Sequence, residues 1–140
     1  ARDITPALDA LAHRGPDGQG VWISSGSHIA LGHRRLSIID IAGGAQPLHS
    51  SDGSVHLVIN GEIYGHREQR AELIARGHAF TSNSDSEVAL ALYREYGADF
   101  INHLRGEFAL ILVDTRANRV IAARDRFGIK PLCYTTTPDG

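Results

Sequence analysis

Apolar positions along the chain change period several times, and each change marks an element. In "DITPALDALAHRG", Leu8, Leu11 and Ala12 recur at helical spacing, with Thr5 suited to the N-cap and Pro6 to the first helical position. Gly15-Pro16-Asp17-Gly18 then forces a turn. "GVWIS" and "HIALGHRRLSII" alternate as strands, split by Ser-Gly-Ser. "GGAQPLHSSDGS" reads as loop, and "VHLVIN" as a buried strand ending at Asn60-Gly61, a strong hairpin signal. "HREQRAELIARG" returns to helical period and stops at Gly77. "HAFTS" reads as a short strand. Ser84-Asp85-Ser86-Glu87 has the S-x-x-E form of a capping box and opens a helix, "DSEVALALYREYG", that ends at Gly97. "EFALILVD" and "RVIAARD" are strands joined by "TRAN", "LCYTTT" is a last strand, and Pro138-Asp139-Gly140 is a turn.

Strands come in clusters, and two helices stand together in the middle. That order lacks the β-α-β alternation of a parallel sheet and predicts an α+β fold of antiparallel sheets covered by helices. A length of 140 residues suits one domain, and 42% apolar residues can fill its core. A net charge of −2 with scattered arginines argues against a nucleic-acid or membrane-surface partner. One cysteine, Cys133, cannot form an internal disulfide, which points to a reducing, cytoplasmic setting. Cys133 itself reads as a small buried apolar residue. No apolar run reaches the roughly 18 residues of a membrane span. The eight histidines form no H-E-x-x-H and no cluster with cysteine, so no metal site is expected. Phosphate-binding glycine loops and a G-x-S-x-G elbow are also missing.

What remains is a set of polar residues at element ends. Arg34 and Arg35 are neighbours in a strand, so they face opposite sides, one of which can be a cleft. There an arginine makes a bidentate clamp for a carboxylate; a surface ion pair is the plainer alternative. Asn60-Gly61 is either a tight turn or a pair of amide donors suited to an oxyanion. The segment after it, Glu62-Ile63-Tyr64 before Gly65, is short for a full return strand. Asp85 either caps its helix or, with Glu62, accepts a ligand ammonium. One clamp and two acids would suit an amino acid. Asp125, in "AARDRFGIKPL", reads as structural, pairing an arginine while Gly128 supplies a turn.

"HRGPDGQG", "GHRRLSIID", "GAQPL", "VINGEIYG", "TSNSDSEV", "LRGEFALILVD" and "ARDRFGIKPL" stand in the order found in class II glutamine amidotransferase domains. The resemblance runs from about His13 to Tyr134. Within the class, "RGPDG" with "RLSIID" is similar to the glutaminase domain of asparagine synthetase. It implies the N-terminal nucleophile hydrolase fold, a four-layer α-β-β-α sandwich of two antiparallel sheets. It also implies hydrolysis of glutamine to glutamate and ammonia. The ammonia passes to a synthetase domain, in cis or trans, that uses ATP and magnesium, while the glutaminase domain itself needs no cofactor. By the same resemblance Arg35 binds the glutamine α-carboxylate, and the backbone at Ile38 and Ile39 lines the pocket. Asn60 and Gly61 form the oxyanion hole, and Glu62 and Asp85 hold the α-ammonium. Gly65 departs from the asparagine usual in the family.

The family nucleophile is a cysteine at the mature N-terminus whose own α-amine is the base. This chain begins Ala1-Arg2-Asp3. Residues 1–140 are therefore read as an amidotransferase domain without the nucleophile strand and the C-terminal continuation, and as inactive alone. A sandwich incomplete at both ends also exposes strand edges, so a homodimer is one expected state. The alternative reading is a non-catalytic amino-acid-binding or scaffold domain that has lost the glutaminase chemistry.

Overall fold

The computed structural model describes residues 3–36 and 44–137. Its elements run in the order α1 (Thr5–Ala10), β1 (Gly18–Ile23), β2 (Ala30–Arg35), β3 (Leu48–His49), β4 (Val55–Ile63), α2 (His66–Ala75), α3 (Ser86–Tyr96), α4 (Phe100–His103), β5 (Gly106–Asp114) and β6 (Arg119–Arg124). Two antiparallel sheets result, one of β1-β2 and one ordered β3-β4-β5-β6.

Alternation along β4 divides the molecule into layers. Val55, Leu57, Ile59 and Ile63 join Phe108, Leu110 and Leu112 of β5 in a core packed under Leu73 of α2, the apolar face of α3 and Phe100 of α4. Val58 and Val113 point the other way and meet Leu31 of β2, with Trp22 and Ile111 packed alongside. The outer face of β2 is covered by α1: a side chain added at Gly32 would meet Ile4 and Leu8. The layers are thus α1, the two-stranded sheet, the four-stranded sheet and α2–α4, the α+β sandwich that the resemblance implies. Trp22 ties the two sheets together by stacking on His56 at 3.7 Å between ring centroids, and the Nδ1 atoms of His49 and His56 lie 2.8 Å apart.

Several elements differ from the sequence expectation. The first helix is shorter, with a 3-10 turn at Ala12–Arg14, and Thr5 is not its cap; the Asp3 carboxylate accepts the Thr5 N–H at 2.9 Å instead. The loop before β4 contains β3. "HAFTS" is not a strand. Its Thr81 and Ser82 N–H groups and both hydroxyls donate to the Glu87 carboxylate, at 2.6–3.0 Å. Glu87 is therefore spent on this loop rather than on a capping box, and Asp85 caps α3 through the Ser86 N–H. Burial would push the Glu87 carboxyl up; the four donors outweigh it and hold it below the ordinary glutamate value. "LCYTTT" is no strand either. Among the described residues this segment has no sheet partner, and Cys133 is exposed, not buried. The turn at 138–140 lies outside the described residues.

Candidate functional site

The Asn60-Gly61 signal does not close a hairpin. β4 runs through it to Ile63, with Asn60 opposite Ala109 and Gly61 opposite Phe108. The glycine is required by a close approach: φ at Gly61 is +139°, and a Cβ there would sit 1.9 Å from the Glu107 carbonyl oxygen. Hydrogen-bond parity then fixes where the Gly61 amide points. Phe108 exchanges its backbone bonds with Asp125, its N–H donating to the Asp125 carboxylate and its carbonyl accepting the Asp125 N–H. Gly61, its opposite number, is thus a non-bonded pair member, and its N–H and C=O face the free edge of β4.

That edge is occupied on both sides of Gly61. At Ile59, the Gln46 side chain takes the place of a strand, accepting the N–H at 2.7 Å and donating to the carbonyl at 2.9 Å. At Ile63, the Asp85 carboxylate accepts the N–H at 2.7 Å while its other oxygen accepts the Ser86 N–H at 2.9 Å. Between these clamps no described residue accepts the Gly61 N–H. Asp85 is buried, and the Arg70 guanidinium steadies the loop before it by donating to the Ser82 and Ser84 carbonyls, each at 2.7 Å.

Asn60 and Glu62 share the face of β4 that carries Val58, the face turned to the smaller sheet. Both are exposed. On β2 the arginines separate as alternation demands. The Arg34 Nε donates to the Leu8 carbonyl of α1 at 2.9 Å. Arg35 falls on the inner face with Leu31 and His33, opposite Gly18, which leaves space beside it. Burial pushes the His33 imidazole below its ordinary value, and the Arg35 guanidinium adds to this against an opposing hydrogen bond to the Ile59 backbone. Arg35, Asn60 and Glu62 therefore lie on the faces that the two sheets turn toward each other, and Asp85 sits at the free edge of β4. Ile38 and Ile39 lie outside the described residues.

Asp125 corrects the expectation of an arginine partner. Its buried carboxylate accepts the N–H groups of Phe108, Phe127, Ile129 and Lys130 at 3.0–3.3 Å, shaping the turn in which Gly128 has φ +66°. Burial would raise this carboxyl; those donors outweigh it and keep it low. The supporting roles of His33 and Gln46 were missed in the sequence, although "GHRR" and "GAQPL" are both family motifs. A Cβ at Gly20 would lie 1.9 Å from the Gln46 carbonyl oxygen, so the glycine before Val21 lets the Gln46 loop pack closely on β1.

A family model described as a glutamine amidotransferase domain matches residues 1–140. The chain belongs to the glutamine amidotransferase domain family. It is 51% identical over 134 residues to the amidase chry2 of Gibberella zeae, covering 95% of this chain and 20% of the relative. It is 46% identical over 129 residues to a glutamine-hydrolysing asparagine synthetase of Bacillus subtilis, covering 92% of this chain and 20% of that protein. The amidotransferase chain thus spans about a fifth of the length of these curated relatives. Among solved structures, the glutamine phosphoribosylpyrophosphate amidotransferase of Bacillus subtilis superposes with a TM-score of 0.69 at 23% identity, over 84% of this chain and 33% of that one. That likeness supports the two-sheet sandwich.

Proposed function

We propose that the space between these two sheet faces is the glutamine site of a glutaminase domain in an asparagine-synthetase-like amidotransferase. The observation that carries the reading is the edge of β4 at Gly61: a backbone N–H directed outward between the Gln46 and Asp85 clamps, next in the chain to Asn60. Glutamine would lay its α-carboxylate on Arg35 and its α-ammonium near Glu62 and Asp85. Its side-chain carbonyl would then reach the Asn60 amide and the Gly61 N–H. Two donors aimed at that oxygen suit the oxyanion formed when a thiol adds to the amide carbon, and one such donor is typically worth about 3–4 kcal/mol of barrier. Asp85 already accepts two backbone N–H groups, so its part toward an ammonium is electrostatic, and direct contact falls to Glu62.

The one thiol in residues 1–140 is Cys133, on the exposed segment after β6. On this reading the attacking thiol comes from outside these residues, and the chain by itself binds glutamine without hydrolysing it. Ammonia released by a complete protein would pass to a synthetase domain, in cis or trans, that uses ATP and magnesium; the glutaminase domain needs no cofactor of its own. A cytoplasmic location and a homodimer belong to the same reading. No helix among the described residues is long and apolar enough to cross a membrane.

Calorimetric titration with L-glutamine, paired with an ammonia assay, tests this. Saturable heat that is lost in Arg35→Ala, with no ammonia released, is expected. No heat at any concentration would favour the scaffold alternative, and ammonia release that survives in residues 1–140 would refute the external thiol.

A further inference from the structure

Glu62 and Glu107 stand directly opposite each other on β4 and β5. Side chains so paired start about 5 Å apart, and like charges there repel. One of the two has a counterion: the Lys130 Nζ lies 3.1 Å from Glu107 Oε1, both side chains being about three-quarters buried (28% and 25% exposed). No described residue forms an ion pair with Glu62. Lys130 is not a loose surface cation. Its backbone N–H donates to the Asp125 carboxylate at 3.0 Å, so the turn built on Asp125 aims the side chain at β5.

We propose that Glu107 is a positioning residue that holds the Lys130 ammonium off Glu62 and so keeps Glu62 open to the amine of a free amino acid. The proposal rests on the reading of Glu62 as the amine's acceptor. Neighbouring strands lie about 4.8 Å apart, and a lysine's four-carbon stem spans that distance. With Glu107 neutral, Lys130 turns to Glu62 and becomes an internal competitor for the substrate ammonium. With both charges present, Glu62, Glu107 and Lys130 carry one net negative charge, matched to one ammonium.

The test is calorimetric titration of the chain with L-glutamine. Glu107→Gln is expected to weaken binding about fivefold, the weight of a partly exposed ion pair. Lys130→Met is expected to bind at least as tightly as the unaltered chain. The double variant Glu107→Gln/Lys130→Met should return to within about twofold of it. A purely structural Glu107 would give no such rescue. If Glu62→Gln binds weakly while Glu107→Gln is unaffected, or if the double variant stays as weak as Glu107→Gln, this proposal alone is overturned. Weaker binding in Lys130→Met would overturn it too. If Glu62→Gln binds like the unaltered chain, the reading beneath falls, and this proposal with it.

Discussion

The Asp85 carboxylate accepts the Ile63 N–H at 2.7 Å, joining the start of α3 to the end of β4. The residue expected to face a ligand is thus also a joint of the fold. Asp85→Ala is expected to remove an acceptor from two backbone donors and destabilise the domain by about 1–3 kcal/mol. Urea unfolding measures this. A stability within about 0.5 kcal/mol of the unaltered chain would show that the joint is unimportant.

Gln46 is the second clamp, supplying a donor and an acceptor to Ile59 where β3 has ended. Gln46→Met, similar in length but without either group, should cost about 1–3 kcal/mol. Hydrogen exchange should speed up at the Ile59 amide and leave that of Leu112 at the centre of β5 comparatively protected. Unchanged exchange at Ile59 would speak against the clamp.

Gly61→Ala places a methyl group against the Glu107 carbonyl, at a φ of +139° that side chains rarely adopt. A loss of at least about 2 kcal/mol is expected. Gly53→Ala serves as a control, since it has a positive φ and nothing within 4 Å. Equal losses at both positions would mean that backbone strain alone, and not the approach of β5, selects glycine at 61.

Acid should loosen the contact between the sheets. Burial holds the His33, His49 and His56 imidazoles below their ordinary value of 6.5, and the charge of His49 further lowers His56. The unfolded chain therefore takes up protons first. The stability these groups contribute is complete above about pH 6.5 and is lost as pH falls through their folded values. Double protonation would also turn two N–H donors against each other across the 2.8 Å His49–His56 contact. Unfolding free energy should be lower at pH 5.5 than at pH 7.5, with a smaller difference in His49→Gln. The same difference in the variant would show that the histidine pair plays no part in the acid sensitivity.

Much of this was legible in the sequence because it depends on local period. The Gly97 stop of α3, the β5–β6 hairpin around "TRAN" and the split between Arg34 and Arg35 all follow from local signals or strand alternation. The misreadings come from partners that hydrophobic period does not encode, either distant in the chain or made of backbone amides. Asn-Gly looked like a turn because nothing local reveals that β5, beginning 45 residues after Gly61, runs close against it. Glu87 looked like half of a capping box until Thr81 and Ser82 claimed its oxygens. The Asp125 partners are backbone amides, which have no signature in a string of side chains.

In the proposed complex, free glutamine sits between the two sheets with its amide oxygen at the Gly61 N–H. The most direct measurement is a nitrogen–proton correlation spectrum of the isotope-labelled chain during titration with L-glutamine. Saturable shifts are expected at the Gly61 backbone amide and the Asn60 side-chain amide, lost in Arg35→Ala. Saturable shifts confined to residues elsewhere, with these two signals unmoved, would contradict it.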